Sequence, residues 1–384
     1  LHGRDDYHFT VQPQYSAMSF DALPVSDNRI LIVGGGMAGS LLALVLGRRG
    51  LPVTLIDPRR DPPAMFRNEK LGAEQIALLK DLGALSCFEA ACWPDGAYAG
   101  MDRPPLDACG APHQVWLKSV RAAWPDSVTF VEGMVAQVDA DGPEPNLTLA
   151  DGAVLRGRLI VLASGHMHQL HEQLGIGVRM LKPAHSACLG FSVAGDRFVP
   201  SQVHHVPFGH GVGYVSIFPM PAETRVNLFS YRPINDPWTR RMARDPVGAL
   251  AEVSPGASRA LQGLAVVRRC EIRGIDLYVT EGHKRAGVVL IGDSFHAPCP
   301  SSGTGMLRIL HDIKILADGH LPRWLATPGM SASKIAAFYD DPAKRVLDAR
   351  SLGGSLRGRE WAVNSGLKWR IMRAARKLKQ KIAA

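Results

Sequence analysis

The residues best placed to do chemistry fall in two stretches about 250 positions apart. The first is Gly34-Gly35-Gly36-Met37-Ala38-Gly39, preceded by the apolar run Arg29-Ile30-Leu31-Ile32-Val33 and followed by a helical pattern at Leu41, Leu42, Val45 and Leu46. A buried strand, a glycine turn and a helix suit a dinucleotide: Gly34 permits the turn, Gly36 lets backbone N–H groups reach a pyrophosphate, and Gly39 lets helix and strand pack closely. A second strand, Pro52 to Ile56, ends in Asp57, the spacing expected of a carboxylate on a ribose hydroxyl. The second stretch is Leu290-Ile291-Gly292-Asp293-Ser294-Phe295-His296, with Pro300, Gly303, Thr304 and Gly305 behind it. Asp293 at a strand end can accept hydrogen bonds from polyol hydroxyls. Gly303 to Gly305 open a helix whose N-terminus favours negative charge.

Other chemistries find less support. The triad His166, His168 and His171 follows a strand end with no carboxylate or cysteine partner nearby, which argues against a metal. Cys87, Cys92, Cys109, Cys188, Cys270 and Cys299 form no C-x-x-C pair, so reduced thiols and a cytoplasmic setting are expected. There is no nucleophile elbow and no H-E-x-x-H helix. Catalytic side chains are not identified by pattern. The polar and aromatic positions Val203-His204-His205-Val206, His210, Tyr214, Phe218 and Tyr231 are candidates for substrate contact, with His205, His210 and Tyr214 foremost because imidazole and phenol can exchange a proton with a ring hydroxyl or amine.

The elements that must position these groups form an α/β fold. After Asp57 a proline-rich loop leads past Arg67, Glu69 and Lys70 to an expected helix, Glu74 to Leu85, and then to another at Gln114 to Trp124. Strands follow at 128–131 and 133–138, a hairpin around Asp151-Gly152, and a buried strand from Arg158 reaching Ala163-Ser164-Gly165. From Ser186 the texture changes to alternating strands at 187–193, 202–206, 213–218, 225–231 and 265–269, with a helical insertion from Asp236 to Leu261. The chain then returns to the first unit at Gly287–Asp293, and from Trp324 it reads as helical, interrupted at Pro328, Pro342 and Gly353-Gly354. The expected organisation is an arm or expression remnant at 1–28, a discontinuous nucleotide-binding unit at 29–180 plus 280–325, a β-sheet substrate unit at 181–279, and a C-terminal helical region at 326–384.

Read together, the two stretches resemble the class A flavoprotein monooxygenases, the p-hydroxybenzoate-hydroxylase-like FAD enzymes, over about Asn28 to Trp324. The family pattern of Gly-Asp, His, Pro, Gly-x-Gly and Asp falls on Gly292, Asp293, His296, Pro300, Gly303, Gly305 and Asp312. The resemblance implies a Rossmann-like FAD-binding domain with an inserted antiparallel substrate sheet. It implies FAD contacts from Gly34, Gly36, Met37, Ala38, Gly39, Asp57, Arg67, Gln114, Val135, Asp293, Pro300, Gly303, Thr304 and Gly305, with Pro300 on the ring face and Val135 at the adenine. It also implies a flavin C4a-hydroperoxide that hydroxylates an aromatic or other electron-rich small molecule, with electrons from NAD(P)H or a flavin reductase.

Two departures stand out: Ala163-Ser164-Gly165 lacks the family's Asp-Gly, and Leu307 replaces the usual Asn. The resemblance therefore carries FAD binding further than it carries direct NAD(P)H handling. Same-fold alternatives are a halogenase, dehydrogenase, isoprenoid reductase or cyclase; the first is disfavoured by the absence of W-x-W-x-I-P. A non-catalytic flavin-binding pathway partner is the reading from another class.

Charge adds one more expectation. The net charge is +9, and the seven basic residues from Lys368 onward, with no acidic one among them, leave only +2 for the rest. A nucleic-acid partner is therefore not expected. The tail, with Trp361, Trp369, Leu367 and Ile371, suits instead a weak peripheral membrane contact, against the alternative of a solvated helix packing one face on the body.

Overall fold

The computed structural model describes residues 28–63, 67–95, 98, 102–142, 144–364, 366–372 and 375. The N-terminal arm and most of the basic tail lie outside these.

The nucleotide-binding half is a five-stranded parallel sheet, ordered Val288–Leu290, Leu159–Leu162, Ile30–Val33, Val53–Asp57 and Val128–Glu132. Its inner strands are runs of Ile, Leu and Val because a parallel strand is covered on both faces. Ile30, Ile32, Val53, Leu55, Leu159 and Val161 point to a core shared with the helices Met37–Arg48, His113–Ala122 and Gly305–Lys314. Leu31, Val33, Ile56, Ile160 and Leu162 point the other way, against Leu147, Leu149 and Val138 of a small antiparallel sheet, Val135–Asp139, Asn146–Leu149 and Val154–Arg156. The Asp-Gly turn of that hairpin is present, with Gly152 at φ +90°.

The second sheet is antiparallel, ordered Gln202–His205, Val212–Met220, Glu223–Ser230, Gly177–Ala194, Ala265–Glu281 and His296–Ala297. Two strands are far longer than their expected 187–193 and 265–269. Their outer parts are polar and mostly exposed, and the ladder slips between Met180 and Ser186, where Ala184 takes φ +45°, so no two-residue hydrophobic alternation marks them. One face of the sheet, carrying Leu189, Phe191, Val215, Ile217, Val226 and Leu228, is closed by the insertion after Asp236. The insertion is three short helices, Pro237–Arg244, Pro246–Val253 and Pro255–Ala260, each opening on a proline. A proline at the first helical position leaves no amide unpaired, whereas in a helix interior it would break the ladder. Asp236 and Asp245 cap the first two, accepting from Trp238 N–H at 3.0 Å and Gly248 N–H at 2.9 Å.

Two helical expectations are corrected. The helix expected over Glu74 to Leu85 stops at Asp81, because Gly83 at φ +69° ends it, and a separate helix, Leu85–Cys92, follows. Gly353-Gly354 does not interrupt the C-terminal region: Pro342–Val363 is one helix, opened by its proline and capped by Asp341 accepting from Ala343 N–H at 2.9 Å. Its glycines serve close packing. A Cβ on Gly354 would lie 3.5 Å from Ser302, and one on Gly358 would lie 2.9 Å from the Tyr231 hydroxyl.

Candidate cofactor and substrate site

The site forms where the parallel strands end. Gly34 turns the chain with φ +104°, and a Cβ there would meet the Ala163 carbonyl oxygen at 2.6 Å. A Cβ on Gly39 would meet the Gly34 carbonyl oxygen at 2.0 Å, so helix and strand touch backbone to backbone. Gly36 is different: a Cβ would meet nothing within 4 Å, so its backbone faces open space. The helix it begins, Met37–Arg48, has no side-chain cap, which leaves first-turn N–H groups available to a ligand.

Asp57 sits beside this turn, accepting from Gly35 N–H at 2.8 Å and Arg59 N–H at 2.9 Å. Gly133 N–H donates to the Asp57 carbonyl at 3.1 Å, which brings half-buried Val135 to the same end. Arg121 closes the group and was missed by sequence reasoning. Its guanidinium bonds the Gly35, Arg59 and Arg60 carbonyls and lies near the rings of Phe130 and Trp124. The available signal was position: Arg121 is two helical turns after Gln114, on the same face of His113–Ala122. Its pKa is lowered chiefly by burial.

The distant stretch arrives at the other side of the first helix. A Cβ on Gly292, at φ +61°, would lie 3.3 Å from Cβ of Ala38. The two motifs are therefore in contact in the folded chain. Gly292 N–H donates to Asp312 Oδ2 at 3.2 Å, and Asp312 pairs with Lys344 at 2.6 Å, so the later Asp of the pattern braces the strand end.

Asp293 Oδ2 is 3.9 Å from the Arg67 guanidinium and 3.8 Å from His166 Nε2, while Tyr278 donates to its carbonyl at 2.7 Å and meets His166 Nδ1 at 2.9 Å. Arg67 also meets Glu69 at 3.1 Å, and Glu69 first, then Asp293, hold its pKa up against burial. His113, buried beside this cluster, is lowered by burial.

The Gly-x-Gly turn completes the frame. Pro300–Ser302 is a 3-10 turn ended by Gly303 at φ +67°, and Gly305–Lys314 follows with no side-chain cap. Cβ atoms on Gly303 and Gly305 would meet nothing within 4 Å. Thr304 is buried, its hydroxyl 2.6 Å from Ser302 Oγ and 2.5 Å from Ser351 Oγ, so only its backbone is offered. Two uncapped helix N-termini, three glycines facing open space, and a carboxylate at each end are what an extended dinucleotide with a phosphate bridge requires. The residues present fit FAD.

The three histidines stay near one another but turn to different partners. His168 and His171 meet through Nδ1 at 3.1 Å, and His171 Nε2 reaches Ser294 Oγ at 3.0 Å, while His166 turns to Tyr278. Burial lowers the His171 pKa to about 4. Among the described residues no group of three or more His, Cys, Asp or Glu is disposed to hold a metal.

Of the substrate-face candidates, the structure brings Tyr214 and Tyr231 to the cofactor turn. The Tyr231 hydroxyl is 3.0 Å from Ser301 Oγ; Tyr214 packs on Phe229 at 5.3 Å, and burial, then the nearby Cys299 and Tyr231, push its pKa up. His205 is exposed on the edge strand opposite Tyr214, and His210 is exposed in a turn whose carbonyl accepts from Arg232. His204 faces the helical insertion near Gly256. Unforeseen members are Cys299, Ser301, Ser186 and His185, which continue from Tyr231 as a chain of contacts of 3.0 to 3.3 Å.

Comparison with known proteins agrees with this frame. Residues 27–100 match the FAD binding domain family. The ubiquinone hydroxylase UbiL of Rhodospirillum rubrum is 27% identical over 335 residues, covering 75% of this chain and 71% of that protein. The 3-demethoxyubiquinol 3-hydroxylase of Escherichia coli is 26% identical over 326 residues, covering 75% and 78%. These similarities support a place among the class A FAD-dependent monooxygenases. Among solved structures, the p-nitrophenol 4-monooxygenase PnpA of Pseudomonas putida aligns with TM-score 0.68 at 17% identity over 91% of this chain and 92% of that one, a likeness of fold. The flavoenzyme's expected α/β architecture with an antiparallel second sheet is the one observed.

Proposed function

We propose that this flavoprotein hydroxylates an electron-rich aromatic ring held between the second sheet and the Pro300–Ser302 turn. The observation that carries the reading is the Ala38–Gly292 contact, which brings the glycine turn and the distant strand end together, each leading to a helix with an uncapped N-terminus. Around that contact, Gly36 and the first turn after it would hold the pyrophosphate with Arg121 behind them, Asp57 a ribose, Val135 the adenine side, and Asp293 the polyol. Gln114, Arg67, Pro300 and the Gly303–Gly305 backbone would complete the contacts. When bound, FAD supplies the oxygen activation; the protein supplies position and dryness.

The chain's own contribution is a shielded ring-binding face. The helix Pro342–Val363 lies over it: Ser355 Oγ accepts from Cys299 N–H at 2.9 Å, and Gly358 lets the helix close on Tyr231. Burial and its neighbours keep the Tyr214 and Tyr231 phenols protonated at neutral pH, Tyr231 with a pKa pushed up to about 12. They are thus hydrogen-bonding groups for a ring hydroxyl or amine rather than bases. The named relatives are a ubiquinone hydroxylase and a 3-demethoxyubiquinol 3-hydroxylase; a hydroquinone-like ring is the substrate class that reading favours here.

Electrons would come from NAD(P)H, directly or through a separate flavin reductase. Ser164, standing where the family has Asp, bonds Met167 O at 3.2 Å and approaches Ser294 at 3.4 Å, so it serves the local turn. Mixing the holoprotein with NADH or NADPH in air and following the visible flavin band tests the reading. Substrate-stimulated bleaching with one hydroxylated product per reduced flavin supports it; turnover only with pre-reduced FAD assigns the electrons to a reductase. Substrate conversion without oxygen incorporation from O2 contradicts it and favours same-fold chemistry of another kind.

A further inference from the structure

The turn after Leu159–Leu162 brings one more side chain to the cofactor frame. Gly165, at φ +63°, bends the chain, and His166 follows it with 65% of its side chain exposed beside Asp293. His166 Nε2 lies 3.8 Å from Asp293 Oδ2, too far for a hydrogen bond between them. Tyr278 fixes this approach. Its ring meets those of His166 and His168 edge to face, with centres 5.7 and 4.9 Å apart.

Hydrogen-bond chemistry places the protons. Tyr278 is buried, and burial, then Asp293, push its pKa up, so the phenol keeps its one proton. It donates that proton to the Asp293 carbonyl at 2.7 Å, a group that can only accept. The 2.9 Å contact between the phenol oxygen and His166 Nδ1 therefore requires the ring proton on Nδ1. In the neutral imidazole this leaves Nε2 an acceptor, and it faces a carboxylate, which also accepts. Arg67 stands 3.9 Å from the same carboxylate oxygen while meeting Glu69 at 3.1 Å, so it does not fill the space between them. Two neighbouring acceptors, with the Asp293 side chain 27% exposed, call for two neighbouring donors.

We infer that His166 Nε2 and the Asp293 carboxylate together bind hydroxyls on adjacent carbons of the FAD polyol, with Tyr278 as the positioning residue that sets the imidazole tautomer. Adjacent hydroxyls supply two donors side by side, one for each acceptor. A phosphate, which brings only acceptor oxygens and negative charge, is disfavoured at this pair and keeps to the Gly36 turn. The inference rests on the FAD reading of the site and adds a cofactor contact from outside both glycine motifs. It concerns binding rather than turnover, so it can fail while the hydroxylase reading stands.

The test is titration of flavin-free, full-length protein with FAD and with FAD analogues that each lack one ribityl hydroxyl. His166→Ala should lower FAD affinity about five- to tenfold, the worth of one hydrogen bond. His166→Gln, whose amide oxygen can stand at the Nε2 position, should recover most of that loss; His166→Asn, which reproduces only the Nδ1 donor, should not. With one analogue the parent and His166→Ala should bind equally, because the hydroxyl that Nε2 accepts from is already gone. The His166 variants should keep the parent melting temperature without FAD, since the side chain is mostly exposed. Nitrogen NMR of the His166 ring at alkaline pH should show the proton on Nδ1 in the parent and shifted toward Nε2 in Tyr278→Phe. Undiminished FAD binding by His166→Ala, an equal loss with every analogue and with FAD, or a parent ring protonated on Nε2 would overturn the inference and leave FAD binding intact. A protein that takes up no FAD would overturn the cofactor reading as well.

Discussion

Two lysine–aspartate pairs in this protein have the same length and opposite surroundings. Lys344 Nζ lies 2.6 Å from Asp312 Oδ1 with side chains 1% and 3% exposed, and Lys284 Nζ lies 2.6 Å from Asp340 Oδ1 with side chains 44% and 53% exposed. Distance alone predicts equal loss on cutting either pair. Burial predicts otherwise. Lys344 also meets Asp348 at 3.2 Å and sits 4.4 Å from the centre of the Phe295 ring, so Lys344→Met strands a buried Asp312. The expected loss is about 3–5 kcal/mol for an uncompensated buried charge, against at most about 1 kcal/mol for Lys284→Met.

Because Asp312 also accepts from Gly292 N–H, the stranded carboxylate disturbs the strand end that presents Asp293, and FAD affinity should fall with stability. The double variant Lys344→Met/Asp312→Asn removes both charges and should recover much of the loss. Urea unfolding followed by tryptophan fluorescence, beside a flavin titration of each variant, reads both quantities. Equal destabilisation by the two lysine variants, or a double variant as unstable as the sum of its parts, would refute the reasoning.

Further outcomes follow from the turn and from the buried histidines. Gly34→Ala forces a side chain into φ +104° and against the Ala163 carbonyl; it should lose roughly 1–3 kcal/mol in thermal unfolding and release FAD on gel filtration. His171 and His185 have pKa values lowered to about 4, mainly by burial, whereas in the unfolded chain they titrate near 6.5. The unfolded state therefore binds more protons between those values, so stability is full above pH 6.5 and falls as pH drops toward 4. His171→Gln should reduce the slope of unfolding free energy against pH by about one proton in that window, measured by urea titrations at stepped pH.

The parts of this fold that sequence discloses are those where one residue type is required by local geometry. Gly34 must take a positive φ, Gly39 must let backbones touch, and Asp57 must end a strand, so all three are visible without a partner. Asp236-Pro237, Asp245-Pro246 and Ser254-Pro255 likewise announce helix starts, though the expectation ran them together as one insertion. What stays hidden depends on the partner. The outer halves of Gly177–Ala194 and Ala265–Glu281 are polar because they reach solvent, and only their mutual pairing makes them strands.

Gly353 and Gly354 read as a break because propensity disfavours glycine in helices, yet the helix passes through them to come close to Ser302 and Tyr231. Histidine content drew attention to His205 and His210, which are exposed, while Arg121 and His185 carry no motif. They gain meaning only when Gly35 and the Cys299–Ser301 turn come to meet them.

The central claim is that the stretches around Gly36 and Asp293, joined through Ala38 and Gly292, grip one FAD between them. Titrating flavin-free protein with FAD tests it most directly, with Gly36→Val and Asp293→Ala measured alongside. The prediction is one FAD per chain, with affinity reduced at least about tenfold by each substitution and the fold of both variants intact by circular dichroism. A protein that takes up no FAD, or that binds it equally well after both substitutions, would contradict the account.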